Sequence, residues 1–339
     1  MTVAAVICGL GGWVPPRIVT NDEVGRELGV TDDWIHGRTG IRQRHVCDAG
    51  TATSDLALRA GERALRSART TRTDALVLAT ATPDHQIPGT APAVAARLGM
   101  AGAAAFDVNA VCTGFVYALA TGAALVRGGL AGSVLVIGAD TFSTVVDPAD
   151  EIVRPLFGDG AGAVVLRAGD PGEPGAVGPF DLGSDGGEHE MIIMPGGGSR
   201  QRAGGALPDP AGSYMTMRGR EVFVNAVTRM TESSRAVLAR AGRETSDVDR
   251  VVGHQANIRI LRTMVRQLGL PEDRLVSNID RVGNTSAASI PLALADGVAS
   301  GRVAAGEYVL LSAFGAGLTW GSTVLEWPQI ALDEGETSV

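Results

Sequence analysis

The chain is short of aromatic residues, which make up 4% of it, and it holds only three cysteines. Cys8, Cys47 and Cys112 are an odd number, and no two stand at CxxC spacing. Neither a disulfide framework nor a cysteine zinc site is expected, and a reduced, cytoplasmic setting fits. The five histidines show no HExxH or similar ligand spacing, so no metal is expected. No apolar run reaches the ~18 residues that would suggest a membrane span. No cluster of basic residues is dense enough for nucleic acid, and the net charge of −8 argues against it. The N-terminal "MTVAAVICGLGGWVPP" lacks a basic n-region and reads as a first strand and turn rather than a signal peptide.

What the chain has is small and apolar. Of its 339 residues 45% are hydrophobic and 46 are glycine. That can bury a large core, in two domains or in two halves of one, with helices and strands packed closely. Strand-like runs ("ALVLATA", "AAAFDV", "SVLVIGAD", "GAVVLRAG", "DRVVGHQ", "DRLVSNI", "YVLLSAFG", "STVLEW") alternate with Ala-rich segments of helical length. This is the pattern of layered α/β architecture.

The pattern also repeats. "DALVLATATPDH" leads to His85, a helix ending "ARLGM", the Cys112 turn, a further helix and the strand "VLVIGA". "VDRVVGH" leads to His254, a helix ending "RQLGL", the Asn284 turn, a further helix and the strand "YVLLSA". Cys112 and Asn284 thus occupy nearly matching points of two copies of one unit. The expected halves are 1–175 and 176–339. They join somewhere in 167–200, which is rich in Gly and Pro and reads as mostly loop.

Three segments follow strand-like runs, where α/β folds usually carry their chemistry: "NAVCTG", "GHQANIRI" and "GNTSAAS". Cys112 at a helix N-terminus would feel the positive end of the dipole, which favours the nucleophilic thiolate. A lone cysteine is more often a small buried apolar residue, and Cys8 in "AVICGL" keeps that reading. His254 lies among polar residues just past an apolar strand. Asn284 reads either as a helix cap or as a hydrogen-bond donor that cannot ionise, suited to an oxyanion or enolate.

"FDVNAVCTGF", "HQANIRI", "GNTSAASIPLAL", "FGDGAGAVVL", "AFGAGLTWGS" and "WIHGRTGIRQRH" resemble the β-ketoacyl-acyl-carrier-protein synthase III family of the thiolase superfamily, over nearly the whole chain. The resemblance implies a thiolase-like five-layer αβαβα fold with internal duplication, a homodimer, and a catalytic triad at Cys112, His254 and Asn284. It implies that Cys112 takes an acyl group from acyl-CoA, with the oxyanion held by the N–H groups of Cys112 and Ala316. Decarboxylating Claisen condensation with malonyl-acyl-carrier protein then follows, with Phe314 against the malonyl carboxylate. No cofactor is called for beyond these substrates. Trp34, Arg38, Met217, Gly219, Phe223, Ala256 and Asn257 are implied to line the CoA and pantetheine tunnel. Ile87, reaching across from the dimer partner, and Phe142 are implied at the acyl pocket. His85, the counterpart of His254 in the first repeat, is a candidate for lining that tunnel.

Two departures stand against the family pattern: Glu151 where an adenine-clamp Arg is usual, with Arg154 three residues on, and Val224 where a docking Lys is usual. Arg259, Arg262 and Arg266 fall on one helix face and suit an acidic carrier protein. The expected function is 3-oxoacyl-carrier-protein synthesis by an acyltransferase of this type, in fatty-acid or polyketide starter synthesis. Two alternatives remain: an acyltransferase that does not condense, and a non-catalytic binding module for acyl-CoA or carrier protein.

Overall fold

The structure, a computed structural model, describes residues 3–205 and 209–332. The chain runs β1 (Ala4–Trp13), β2 (Ile18–Thr20), α1 (Asn21–Leu28), α2 (Asp32–Thr39), β3 (Gln43–His45), α3 (Thr53–Ser67) and β4 (Ala75–Ala79). It continues with α4 (Ala91–Arg97), β5 (Ala104–Val108), α5 (Gly114–Arg127), β6 (Ser133–Asp140), β7 (Gly160–Gly169), β8 (Phe180–Ser184), β9 (Ile192–Ile193) and α6 (Ser199–Ala203). It ends with β10 (Thr216–Met217), α7 (Gly219–Arg240), β11 (Arg250–Gly253), α8 (Ile258–Gln267), α9 (Ile279–Val282), α10 (Ser289–Ala299), β12 (Tyr308–Gly315) and β13 (Thr319–Glu326).

Two sheets form the body. One has the order β1-β7-β6-β4-β5, the other β8-β13-β12-β11. Directions match strand for strand: β1 with β7 and β8 with β13 are antiparallel, as are β7 with β6 and β13 with β12. β6 with β4 and β12 with β11 are parallel. Registers align too, since Ala75 pairs Val134 where Arg250 pairs Val309. β4 is buried along its whole length and reads as a continuous apolar run, as a parallel strand covered on both faces requires.

The layers follow from which helices are apolar all round. α5 ("GFVYALATGAALVR") and α10 ("SIPLALADGVA") carry almost no charge and lie between the sheets, in one core with strands of both. Gly122 lets α5 close onto the sheet, since a Cβ there would stand 2.9 Å from Val136. α3 and α4 cover the outer face of the first sheet, α7 and α8 that of the second. The result is the five-layer αβαβα arrangement with internal duplication. α8 is amphipathic in the ordinary way: Leu261, Met264 and Val265 are buried and Arg259, Arg262 and Arg266 exposed.

Two expectations fail locally. "DRLVSNI" is not a strand: a 3-10 turn takes Glu272–Arg274 and α9 begins at Ile279. What remains of a fifth strand is one parallel bridge, Val251 to Leu275. The expected loop at 167–200 contains β8, an edge strand that pairs only β13 and is no more than half-buried. Its partial exposure and Gly183 weaken the apolar signal.

Candidate active site

Each sheet delivers a turn to the same place. After β5 the chain enters a 3-10 turn, Val111–Thr113, that leads into α5. After α9 a second 3-10 turn, Ser286–Ala288, leads into α10. Each turn has a residue in the left-handed region, Val111 at φ 46° and Ser286 at φ 49°. Such angles cost a non-glycine residue roughly 1–3 kcal/mol and recur where function fixes the backbone. The central strand of each half backs the other half's turn. On β6, a Cβ at Gly138 would lie 2.4 Å from the Ala287 carbonyl oxygen; on β12, one at Gly315 would lie 3.0 Å from Cys112.

Cys112, His254 and Asn284 line one narrow cavity of about 40 Å³ together with Phe142, Phe157, Met217 and Phe314. Cys112 keeps some accessible surface although protein surrounds it closely, and it is a free thiol. Burial pushes that thiol up to about 12, against a contact with Ser286 that lowers it, and the Asp140 carboxylate pushes it up further. Cys112 lies two residues ahead of α5, and burial is the largest influence on its thiol.

His254 follows β11 and is buried; its backbone N–H donates to Ser312 O at 2.9 Å. Its Nδ1 lies 2.7 Å from Ser289 Oγ. Gln255 N–H donates to the same oxygen at 3.4 Å. In the tautomer where the Ser289 hydroxyl donates to Nδ1, Nε2 carries the ring proton and is a donor. Burial lowers the His254 pKa to about 3, so the ring is neutral. Asn284 spends its Oδ1 on the Ser286 N–H, at 2.9 Å. Both readings of Asn284 therefore hold: it caps the turn with its oxygen, and its amide N–H₂ remains a donor at the cavity.

The cavity adjoins a groove of about 590 Å³ whose walls include Met217, Phe223, Ala256, Asn284 and Asn257, with Trp34, Arg38 and Gly219 farther along. All seven tunnel residues expected from the resemblance border this groove. The Arg38 guanidinium lies 4.2 Å from the centroid of the Trp34 ring. Asn257 caps α8 through Arg259 N–H at 2.9 Å and donates to Arg38 O at 2.9 Å, tying α2 to α8. Exposed Ile152 and Val224 also border the groove. Arg220 and Arg259 add positive charge there; Arg220 was not singled out in the sequence, because "RGRE" reads as a solvated helix start. Arg154 pairs Glu27 at 3.8 Å, and neither it nor Glu151 borders the groove.

Behind Phe142 lies a chamber of about 230 Å³, walled by Val111, Val145, Ile192, Met194, Met215 and Ala316 among others. Gly315 and Phe314 border the cavity itself, with Ala316 on the chamber side. Phe142 stacks on Phe157 with centroids 4.3 Å apart. Ile87 is 88% exposed and lines none of these three cavities of its own chain. His85 is also exposed and lines none of them. The strand registers match His254 to Ala79, so His85 is not its counterpart in the first repeat. On α8, Arg262 pairs Glu272 at 3.5 Å, and Arg259 lies 5.6 Å from the Phe223 ring centroid. Among the described residues no helix is long and apolar enough to cross a membrane.

Known proteins resemble this chain over nearly its whole length. Residues 106–186 match the family described as 3-oxoacyl-[acyl-carrier-protein] synthase III, and residues 238–327 match its C-terminal region. β-Ketoacyl-[acyl-carrier-protein] synthase III 5 of Streptomyces coelicolor is 56% identical over 97% of this chain and 99% of its own. The crystal structure of 3-oxoacyl-(acyl carrier protein) synthase III from Pseudomonas aeruginosa superposes with a TM-score of 0.91 at 52% identity, covering 97% of this chain and 99% of that one. The priming β-ketosynthase of the R1128 polyketide pathway superposes with a TM-score of 0.90 at 34% identity, covering 97% of both chains.

Proposed function

The chain belongs to the 3-oxoacyl-[acyl-carrier-protein] synthase III family, and we propose that it primes chain synthesis by loading an acyl group from acyl-CoA on Cys112 and condensing it with malonyl-acyl-carrier protein. The observation that carries this is the meeting of Cys112, His254 and Asn284 in a cavity that adjoins a long groove. Residues 1–175 supply the nucleophile and 176–339 the donors.

In the first half-reaction the Cys112 sulfur attacks the thioester and CoA leaves. Backbone N–H groups of Cys112 and Ala316 hold the oxyanion. The pantetheine arm lies along Met217, Phe223 and Ala256, and Arg220 and Arg259 supply the positive charge that Glu151 does not. In the second, neutral His254 and the Asn284 amide donate to the malonyl thioester oxygen. Two neutral donors suit an enolate, since neither loses a proton to it. Phe314 beside the carboxylate favours loss of the charged group as CO₂.

The acyl chain runs past Phe142 toward the rear chamber, whose apolar wall supports primers longer than acetyl. Arg259, Arg262 and Arg266 serve the acidic carrier protein. A homodimer is supported by β5, an unpaired edge of the first sheet on which Phe106 is 38% exposed. A second copy would also bring Ile87 to an acyl pocket.

The test is incubation with a panel of acyl-CoAs and malonyl-acyl-carrier protein. Condensed 3-oxoacyl product is expected. Acyl transfer alone, with no CO₂ released, would refute condensation.

A further inference from the structure

Two loops from different halves meet at Cys112. Residues 110–113 follow β5 and carry Cys112; residues 315–319 join β12 to β13 and carry Ala316. Their backbones already lie close, because a Cβ at Gly315 would stand 3.0 Å from both Cys112 N and Thr113 N. Close approach fixes how near the loops lie, but not how one is turned against the other. A pair of threonines joins them. Thr113 is 0% exposed, and its Oγ1 donates to Thr319 O at 3.2 Å. Thr319 Oγ1 stands 3.0 Å from Thr113 Oγ1, 3.3 Å from Ala110 O and 3.0 Å from Ala316 O. Among the described residues, every hydrogen bond between the two loops runs through these two side chains.

A hydroxyl has one hydrogen to give and can accept as well. The Thr113 hydrogen goes to Thr319 O, which leaves Thr113 Oγ1 as an acceptor. The Thr319 hydrogen therefore faces three oxygens, one in its own loop and two in the loop of the nucleophile. The other branch of Thr319, its Cγ2, faces Gly317, where a Cβ would lie 2.9 Å from it. A β-branched side chain is stiff at χ1, so placing the methyl there holds the hydroxyl between the loops. Two of the three oxygens bear on the chemistry. Ala316 O belongs to the residue whose N–H receives the oxyanion. Ala110 O also accepts the Thr113 N–H at 3.0 Å, which closes the turn that presents the Cys112 N–H.

We infer that Thr319 is a positioning residue: its hydroxyl locks residues 110–113 against 315–319 and so sets the spacing of the Cys112 and Ala316 N–H groups that receive the thioester oxygen. This rests on the synthase reading of the site. Thr319 acts through these two backbone donors and not on the substrate. An oxyanion hole works because its donors are in place before charge develops, so the spacing of the two loops enters the rate directly. A misplacement of about 1 Å can cost about 100-fold. One donor belongs to each half of the chain, and the threonine pair is the lock across that seam.

Two reactions of Cys112 separate the lock from general damage. Acylation by acyl-CoA passes through a tetrahedral oxyanion. Alkylation by iodoacetamide does not, because the sulfur displaces iodide at a CH₂ carbon. Both are followed by mass at Cys112 in the native protein and in Thr319→Val, Thr319→Ala and Thr319→Ser. Valine sets a methyl where the hydroxyl stood, and carbon meets oxygen at about 3.3–3.6 Å rather than 3.0 Å, so the loops must part. Alanine removes the hydroxyl without crowding and keeps the test open where the valine variant fails to fold. Both are expected to lower the saturated acylation rate at least about tenfold, with the half-saturating acyl-CoA concentration and the alkylation rate unchanged. Serine keeps the hydroxyl and should recover most of the loss. Native-rate acylation in the valine or the alanine variant would overturn the lock. So would acylation and alkylation falling together, or a serine variant as slow as the alanine one. A native protein that alkylates at Cys112 but is never acylated by acyl-CoA would instead count against the synthase reading.

Discussion

At the ends of their central strands the two halves differ by one side chain. The aligned registers match Asp140, the last residue of β6, to Gly315, the last residue of β12. Each position faces the turn contributed by the other half. Gly315 offers no side chain and lets the backbone come against Cys112, with room for nothing larger. Asp140 offers a carboxylate and grips the turn of Asn284 through the Ala287 N–H. One repeat unit thus yields two different supports. Both turns are held by the close approach of a strand glycine, and the turn bearing the donor is held in addition by a hydrogen bond to Asp140. A site of unlike parts at the seam of two like units requires this asymmetry.

The largest effect should come from removing the nucleophile that the first half's turn carries. Cys112→Ala is expected to abolish acyl-enzyme formation, read as the absence of an acyl mass on the intact protein. Any acyl mass retained on the variant would move the nucleophile elsewhere.

The supports come next. Gly138→Ala sets a Cβ 2.4 Å from the Ala287 carbonyl oxygen, so the seam must open. Overpacking of this kind costs typically about 1–3 kcal/mol, to be read as a lower urea midpoint. Gly315→Ala meets Cys112 at 3.0 Å and should cost less stability but slow acylation. If Gly315→Ala proves the more destabilising of the two, the ranking of the supports is reversed.

A smaller effect concerns pH. His254 stays neutral in the fold down to about 3, while an unfolded histidine takes its proton near ~6.5. Between those values the unfolded chain binds more protons than the native one, so this contribution is full above pH 6.5 and is lost as pH falls toward 3. Burial also raises the Asp140 carboxyl, so the informative quantity is the difference between native protein and His254→Asn. The variant's denaturation midpoint should fall less between pH 6.5 and 4. Parallel curves would show that His254 is not held neutral.

Much of the site was legible because its residues interrupt strong patterns. Cys112, His254 and Asn284 each break an apolar, small-residue background at a turn, and the repeat ties two of them together. Ser286, Ser289 and Asp140 gave no such signal. Which serine of "GNTSAAS" meets His254 depends on where α10 starts, and Ser289 is its first residue. Asp140 reads as the polar end of a strand until burial shows it closed in. His85 was misplaced because counting from strand to histidine ignores register; the ladder puts the matching position six residues earlier, at Ala79. β8 was missed because edge pairing leaves a strand half-exposed, and the fifth strand of the second sheet was overcalled because a 3-10 turn consumes its start.

The central claim is a division of labour: the first half supplies the acyl acceptor and the second supplies the donors for the enolate. Asn284→Ala tests it most directly, with the two half-reactions measured in one sample. Intact mass follows acylation of Cys112 by acyl-CoA, and CO₂ release follows the second step from malonyl-acyl-carrier protein. Acylation should proceed at near-native rate while decarboxylation falls by about 100- to 1,000-fold, the usual loss for one oxyanion donor. Equal loss of both half-reactions, or of neither, would contradict it.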